Sequence, residues 1–128
     1  MAMQALCQWD AQRDQSSEAL SEFLEVHHGH AKAIVFATLL VKGFWGEQKR
    51  VDTLIEAAST DWSLARMAMV DRNIMRVAVV ELLKQPTPPK VLLDEAIEIG
   101  KEYGGKEAPR FINGVLDSVF KTVEKEKA

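Results

Sequence analysis

Apolar residues recur at three- and four-residue steps along most of the chain, and helix is predicted wherever they do. Ile34, Val35, Ala37, Val41, Trp45, Val51, Leu54, Ile55 and Ala58 keep that spacing over one long helix from about Ala31 to Ala58. Gly43 and Gly46 fall inside it, where they mark a kink or the close approach of a neighbouring helix. Upstream, Leu20, Phe23 and Leu24 give one stripe to a helix that Ser17 can cap and that ends near His27-His28-Gly29. Asp14-Gln15-Ser16-Ser17 reads as a turn. Before it, Met3, Leu6 and Cys7, with Trp9 on a flank, place a helix over about Met1 to Arg13 that has no capping residue ahead of it.

From about Val70 to Gln85 the pattern changes. Ile74, Val77, Ala78 and Leu82 form one face while Met75, Val79, Val80 and Leu83 fill the others, which predicts a central helix packed on several neighbours. Glu81 falls in the middle of the first face, where a carboxylate is costly unless bonded. It is expected to be a structural acceptor, satisfied by backbone N–H groups of a neighbouring helix end or by an arginine. In the break before this helix, Thr60 or Asp61 can cap a short helix around Trp62 to Met67. After it, Pro89 suits a first helical turn. Gly104-Gly105 is expected to stop that helix through a positive φ, and a last helix begins around Glu107-Ala108-Pro109. Its stripe is Ile112, Val115, Leu116, Val119 and Val123, with Phe111 on the rim and Arg110 and Lys121 nearly opposite. No strand-like alternation with hairpin turns is present, so the fold class is all-α, a bundle of about six to seven helices with short loops.

Composition narrows the chemistry. With 128 residues the chain fits one domain with a real core. A net charge of −3 argues against a whole-surface electrostatic binder of nucleic acid but leaves room for a local site. The lone cysteine, Cys7, excludes an internal disulfide and a cysteine-cluster zinc site. No apolar run approaches the roughly 20 residues of a membrane span, and a cytoplasmic location is expected. His27, His28 and His30 sit at a predicted helix end, where histidine is favoured by the dipole, and they read as a loop rather than a metal site. Asp94, Glu95, Glu98 and Glu102 read as a solvated helix face rather than catalytic carboxylates. No nucleophile–base order or phosphate-cradling glycine loop occurs, so neither enzyme activity nor a cofactor is expected.

Two places admit a functional reading beside a structural one. A rim aromatic next to a cation, Phe111 with Arg110, is a small version of a base-stacking platform, or else an ordinary core cap. Asp71, Arg72 and Asn73 form a polar opening turn near Met67, Met69 and Met75, which suits either a cap over core or the edge of a partner surface.

Four patches, in order, resemble the NusB family of bacterial transcription antitermination factors. They are Met3-Gln4-Ala5-Leu6-Cys7-Gln8-Trp9-Asp10, then Val70-Asp71-Arg72-Asn73-Ile74-Met75-Arg76-Val77-Ala78 leading to Glu81-Leu82, then Pro89-Lys90-Val91 with Asp94-Glu95-Ala96-Ile97-Glu98, and finally Tyr103-Gly104-Gly105 with Phe111-Ile112-Asn113-Gly114-Val115-Leu116-Asp117. The resemblance implies two small helical subdomains, approximately 1–58 and 59–128. It implies pairing with NusE, a small-subunit ribosomal protein, binding of boxA RNA by the pair, and support of the transcription elongation complex on ribosomal RNA operons. Carried over by position, the RNA-facing candidates are Arg110, Phe111, Glu107 and Cys7. Cys7 stands where the family usually has tyrosine, so ring stacking is lost there. Asp71 matches an acidic position of the NusE-facing surface, with Arg72 and Met75 as neighbours by helical spacing.

The family usually carries an arginine-rich segment just before the first patch, and here nothing precedes Met1-Ala2. The NusE contact is therefore expected to survive better than RNA binding. Two other readings stay open. A NusB-like domain also precedes the catalytic domain of certain rRNA cytosine methyltransferases, although the charged tail through Ala128 favours a stand-alone protein. A protein-only helical adaptor is the other, and the NusE surface could equally be self-buried in a homodimer.

Overall fold

The structure, a computed structural model, describes residues 1–13, 15–28 and 30–127, without the side chains of His27 and His28. Among these residues six α-helices and one 3₁₀ turn follow in order: α1 (Ala2–Gln12), α2 (Ser17–His28), α3 (Ala31–Ala58), the 3₁₀ turn (Leu64–Arg66), α4 (Met69–Lys84), α5 (Pro89–Tyr103) and α6 (Ala108–Lys127). The expected all-α bundle is what forms. Asp14, Gly29 and the two histidine side chains lie outside the described residues, and the readings that involve them go no further. No group of metal-ligating side chains occurs among the described residues.

Helix α4 is central. It packs on α1, α3, α5 and α6, and Ile74, Met75, Val79 and Val80 are buried on its several sides. The apolar core they join is continuous through Leu6, Phe44, Ile55, Leu92, Ile112 and Leu116. At roughly 25 cal/mol per Å² of apolar area, this burial is the main favourable contribution to folding.

Local differences from the sequence reading have simple causes. Both readings of the α3 glycines hold, at different residues. A Cβ on Gly43 would lie 3.2 Å from Val80 Cγ1, so Gly43 is where α4 comes close. Gly46 has open space around it, and the next residue, Glu47, leaves helical geometry at φ −119°. The cap of α2 is Ser16, not Ser17: its Oγ accepts the Ala19 N–H at 3.0 Å. The stretch after α3 forms only the 3₁₀ turn, with no side-chain cap from Thr60 or Asp61. Instead the Glu56 carboxylate accepts the Leu64 N–H at 2.7 Å, so the α3 end holds the loop.

A polar cluster is buried where α1, α3 and α4 meet. Asp10 Oδ2 accepts hydrogen bonds from Arg72 Nε at 2.7 Å, Asn73 Nδ2 at 3.0 Å and Arg76 Nη1 at 3.1 Å. Arg76 also forks onto Asp52 at 2.9 and 3.0 Å, and its guanidinium lies 5.5 Å from the Trp9 ring and 5.0 Å from the Phe44 ring. Arg72 reaches on to the carbonyls of Leu64 and Met67 at 3.4 and 3.3 Å, which pins the 3₁₀ turn to α4. Burial pushes the Asp10 carboxyl up, but the hydrogen bonds from Arg72 and Asn73 and the charges of Arg76 and Arg72 outweigh it. The net effect holds its pKa below the usual carboxylate value.

The glycine stop after α5 works differently from expectation. Gly104 has φ −91°, and no glycine among the described residues has a positive φ. Glycine is needed for space: a Cβ there would lie 2.5 Å from Ala108 Cβ and 2.9 Å from the Gly100 carbonyl oxygen. One turn earlier, a Cβ on Gly100 would lie 2.9 Å from Ile112 Cδ1. The pair lets α5 and α6 approach closely and fixes where α6 begins.

Two outcomes are expected. Gly104→Ala should destabilise the fold by about 1–3 kcal/mol through overpacking against backbone and a short side chain, whereas Gly105→Ala, with nothing within 4 Å, should be near neutral. Equal melting temperatures for the two variants would refute the close-approach account. Asp10→Asn leaves Arg72 and Arg76 short of a charge partner and should cost about 3–5 kcal/mol. Because the folded pKa of Asp10 is depressed, its stabilisation is present above the unfolded value of about 3.9 and is lost as pH falls through the folded one. The gap between wild type and Asp10→Asn in chemical denaturation should therefore narrow below about pH 4; a constant gap would show that the charge is not what matters.

Candidate functional site

The junction between α5 and α6 sets the geometry of the candidate RNA residues. The Ala108 N–H donates to the Gly105 carbonyl and the Phe111 N–H to the Glu107 carbonyl, both at 3.1 Å, so α6 starts tightly. With its neighbour helix locked at Gly100 and Gly104, this start has little freedom to move. Phe111 is half-buried against the core, and Arg110 and Glu107 are exposed. Phe111 thus both packs on the apolar core and stays partly open to solvent.

Arg110 and Phe111 share a shallow cavity of about 210 Å³ with Gly114 and Val115 of α6 and with Ala58, Ser59, Thr60, Asp61 and Trp62 from the end of α3. The Ser59 hydroxyl is buried there without a hydrogen-bond partner. Sequence reasoning missed Trp62, which it assigned to a short helix. The available signal was a lone tryptophan between Asp61 and Ser63 in a break, and it is half exposed, at 50%.

Cys7 does not line this cavity. It is half-buried on α1 against the start of α4, where its sulfur accepts from Asn73 Nδ2 at 3.6 Å and lies 4.0 Å from the Met69 carbonyl. Burial pushes its thiol pKa up, only partly offset by the Asn73 hydrogen bond. Cys7 is therefore tied to the buried polar cluster rather than presented beside Phe111.

The three candidates for a protein partner separate. Met75 is fully buried at 0% exposure and is core, so helical spacing misplaced it on a surface. Arg72 has only 15% of its side chain exposed and is spent on Asp10. Asp71 differs from both. Burial pushes its carboxyl pKa up, and its buried Oδ1 has no hydrogen-bond partner. It sits in the first turn of α4, and a Cβ on Gly104 would lie 3.2 Å from this oxygen. Asp71 thus faces the α5–α6 junction with unused acceptor capacity.

Glu81 is buried, as expected, but its partner is neither arginine nor a helix end: the Thr87 hydroxyl donates to Oε2 at 2.9 Å. Burial pushes its pKa up, partly offset by Thr87, and Glu95 adds to the rise. Both carboxylates border an apolar cleft of about 270 Å³ that also touches Met1, Phe36, Leu40 and Tyr103. The cleft contains no nucleophile–base pair and none of the candidate RNA residues.

Comparison with known proteins bears on the whole chain. The NusB family model matches residues 1–121. The transcription antitermination protein NusB of Anaeromyxobacter dehalogenans is 45% identical over 119 residues, which cover 92% of this chain and 84% of that protein. That of Syntrophus aciditrophicus is 36% identical over 98% of this chain and 79% of its own length. Among solved structures, NusB of T. maritima superposes with a TM-score of 0.83 at 35% identity, covering 99% of this chain and 92% of that one. A chain from the crystal structure of antitermination factors NusB and NusE in complex with dsRNA superposes with a TM-score of 0.82 at 28% identity, covering 94% and 91%. These relatives are antitermination factors and not enzymes. A family match that runs through all six helices, with the four sequence patches in their places on them, makes this chain a member of the NusB family.

Proposed function

We propose that this protein is a transcription antitermination factor that pairs with NusE and binds boxA RNA, supporting elongation on ribosomal RNA operons. The observation that carries the reading is the full-length likeness to a chain from a NusB–NusE–RNA assembly. The geometry supports a division of labour. RNA contact falls at the rigid start of α6, where Phe111 offers a partly exposed ring and Arg110 an exposed cation, with Glu107 beside them. NusE contact falls at Asp71, whose unpartnered, desolvated carboxylate would gain from a donor or cation on the partner.

Charge sets the strength of each contact. The formal charge is −3, and Arg110 is the cation that lines the cavity. Each phosphate contact on a single strand contributes roughly 0.7 to the salt slope, so a site built on one cation and rings should bind RNA weakly alone. NusE must then raise the affinity of the pair.

Titrating labelled boxA RNA with and without NusE, at two salt concentrations, tests this. The NusE-loaded protein should prefer boxA over a scrambled sequence, and no preference would sink the reading. Phe111→Ala should weaken RNA binding by about 1–3 kcal/mol if the ring stacks on a base. A large drop in melting temperature with unchanged RNA affinity would instead return Phe111 to the core. Asp71→Lys should abolish or strongly weaken NusE binding in calorimetry while circular dichroism stays unchanged; wild-type affinity would remove Asp71 from the interface.

A further inference from the structure

The cavity beside Phe111 has more on its walls than the two residues assigned to RNA. Trp62 also lines it, from the segment between α3 and the 3₁₀ turn. Among the described residues no ring–ring contact joins Trp62 to Phe111, whereas Trp9 and Phe44 do touch, at 5.3 Å between centroids. Two aromatic side chains that line one cavity without touching each other give a planar group two apolar surfaces to pack on. Neither is free to close the cavity. Phe111 is held by the α5–α6 approach, and the segment before Trp62 is held at Ser59, whose N–H donates to the carbonyls of Ile55 and Glu56 at 3.1 and 3.2 Å.

The volume, about 210 Å³, is below the roughly 300–1,000 Å³ of drug-sized sites and suits one ring system. Asp61 also lines the cavity, and a carboxylate accepts hydrogen bonds but donates none. It would accept from the exocyclic amine of cytosine, adenine or guanine, whereas uracil has no such amine and offers only an N3–H flanked by two acceptor oxygens that a carboxylate repels. Arg110, on the α6 wall, supplies the cation for the adjoining phosphate. Single-stranded RNA is commonly read in this way, with splayed bases stacked on aromatic side chains and bonded at their edges.

We infer that Trp62 and Asp61 complete, with Phe111 and Arg110, a pocket for one unpaired, amino-bearing nucleobase, in which Trp62 stacks and Asp61 selects. This rests on the RNA-binding reading above and assigns to it a second stacking residue and a specificity residue.

Gly114 provides a clean way to block the pocket. It lines the cavity, and a Cβ built on it meets nothing within 4 Å. Gly114→Leu should therefore fill the pocket while keeping or raising the melting temperature, since leucine favours helix over glycine. In fluorescence-anisotropy titrations of boxA RNA onto the NusE-loaded protein, Gly114→Leu and Trp62→Ala should each weaken binding about 5- to 100-fold. Replacing each non-uracil base by uracil in turn should identify one position whose penalty disappears in Asp61→Asn. Unchanged affinity in Gly114→Leu and Trp62→Ala, with Phe111→Ala still weakened, would overturn the pocket and leave the RNA reading standing. Absence of boxA binding by the NusE-loaded wild type would overturn both.

Discussion

Asp10 Oδ2 takes three hydrogen bonds, from Arg72, Asn73 and Arg76, and the placement of α1 depends on it. An apolar face alone would let α1 slide or rotate on α4, because burial is not directional. Three donors converging on one buried oxygen define a single register. The same two arginines carry the constraint outward. Arg76 forks to Asp52 on α3, and Arg72 holds two carbonyls of the 3₁₀ turn. One acid thus sets the relation of α1, α3, α4 and the segment that follows Trp62. The rings of Trp9 and Phe44 shield the Arg76 guanidinium from water, so these charge-assisted bonds act in a low-dielectric setting where breaking one leaves an unpaired charge.

The second constraint is spatial rather than polar. Gly100 on α5 and Gly104 at its C-terminal cap are four residues apart, and side chains at either would collide with Ile112 or Ala108 of α6. Close contact there turns α6 into a fixed post for Arg110 and Phe111. Each wall of the cavity is accordingly held by its own device. The α6 wall rests on small residues, and beyond the α3-end wall the chain is gripped by Glu56 and Arg72. A preformed site lowers the ordering cost of binding, which matters for a cavity lined by a single arginine.

Most of the fold was legible in the sequence because helical periodicity and boundary residues are local signals. The bounds of α3, the nearly all-apolar α4, and Pro89 at the start of α5 follow from spacing and proline chemistry alone. What was not legible depends on residues far apart in the chain. Asp10 and Arg72 pair across 62 positions, and nothing in either local pattern announces it, so Arg72 read as surface. Met75 was legible as one side of a packed central helix, and only its spacing from Asp71 drew it to the partner surface; its full burial settles it as core. Gly104 was recognised as a stop, but for the wrong cause, because steric approach by Ala108 is invisible without the partner helix. Trp62 escaped for the same reason: Phe111, which lines the cavity with it, lies 49 positions later in the chain. Phe111, by contrast, was legible as a rim residue, since its angular place on α6 is a local property.

These constraints bear on how a chain of net charge −3 could serve the RNA-binding role proposed for it. Counterion release scales with the number of phosphates neutralised, and here the cavity offers one arginine. Stacking does not depend on salt in that way, and it is effective only when the rings are held at a fixed separation. A flexible α6 start or a loose segment around Trp62 would spend the stacking energy on ordering the site. The demand for rigidity at the cavity and the presence of Asp10 and Gly104 at its supports are therefore linked. Substitutions at those supports would reach the proposed RNA site through geometry, without touching any residue that lines it.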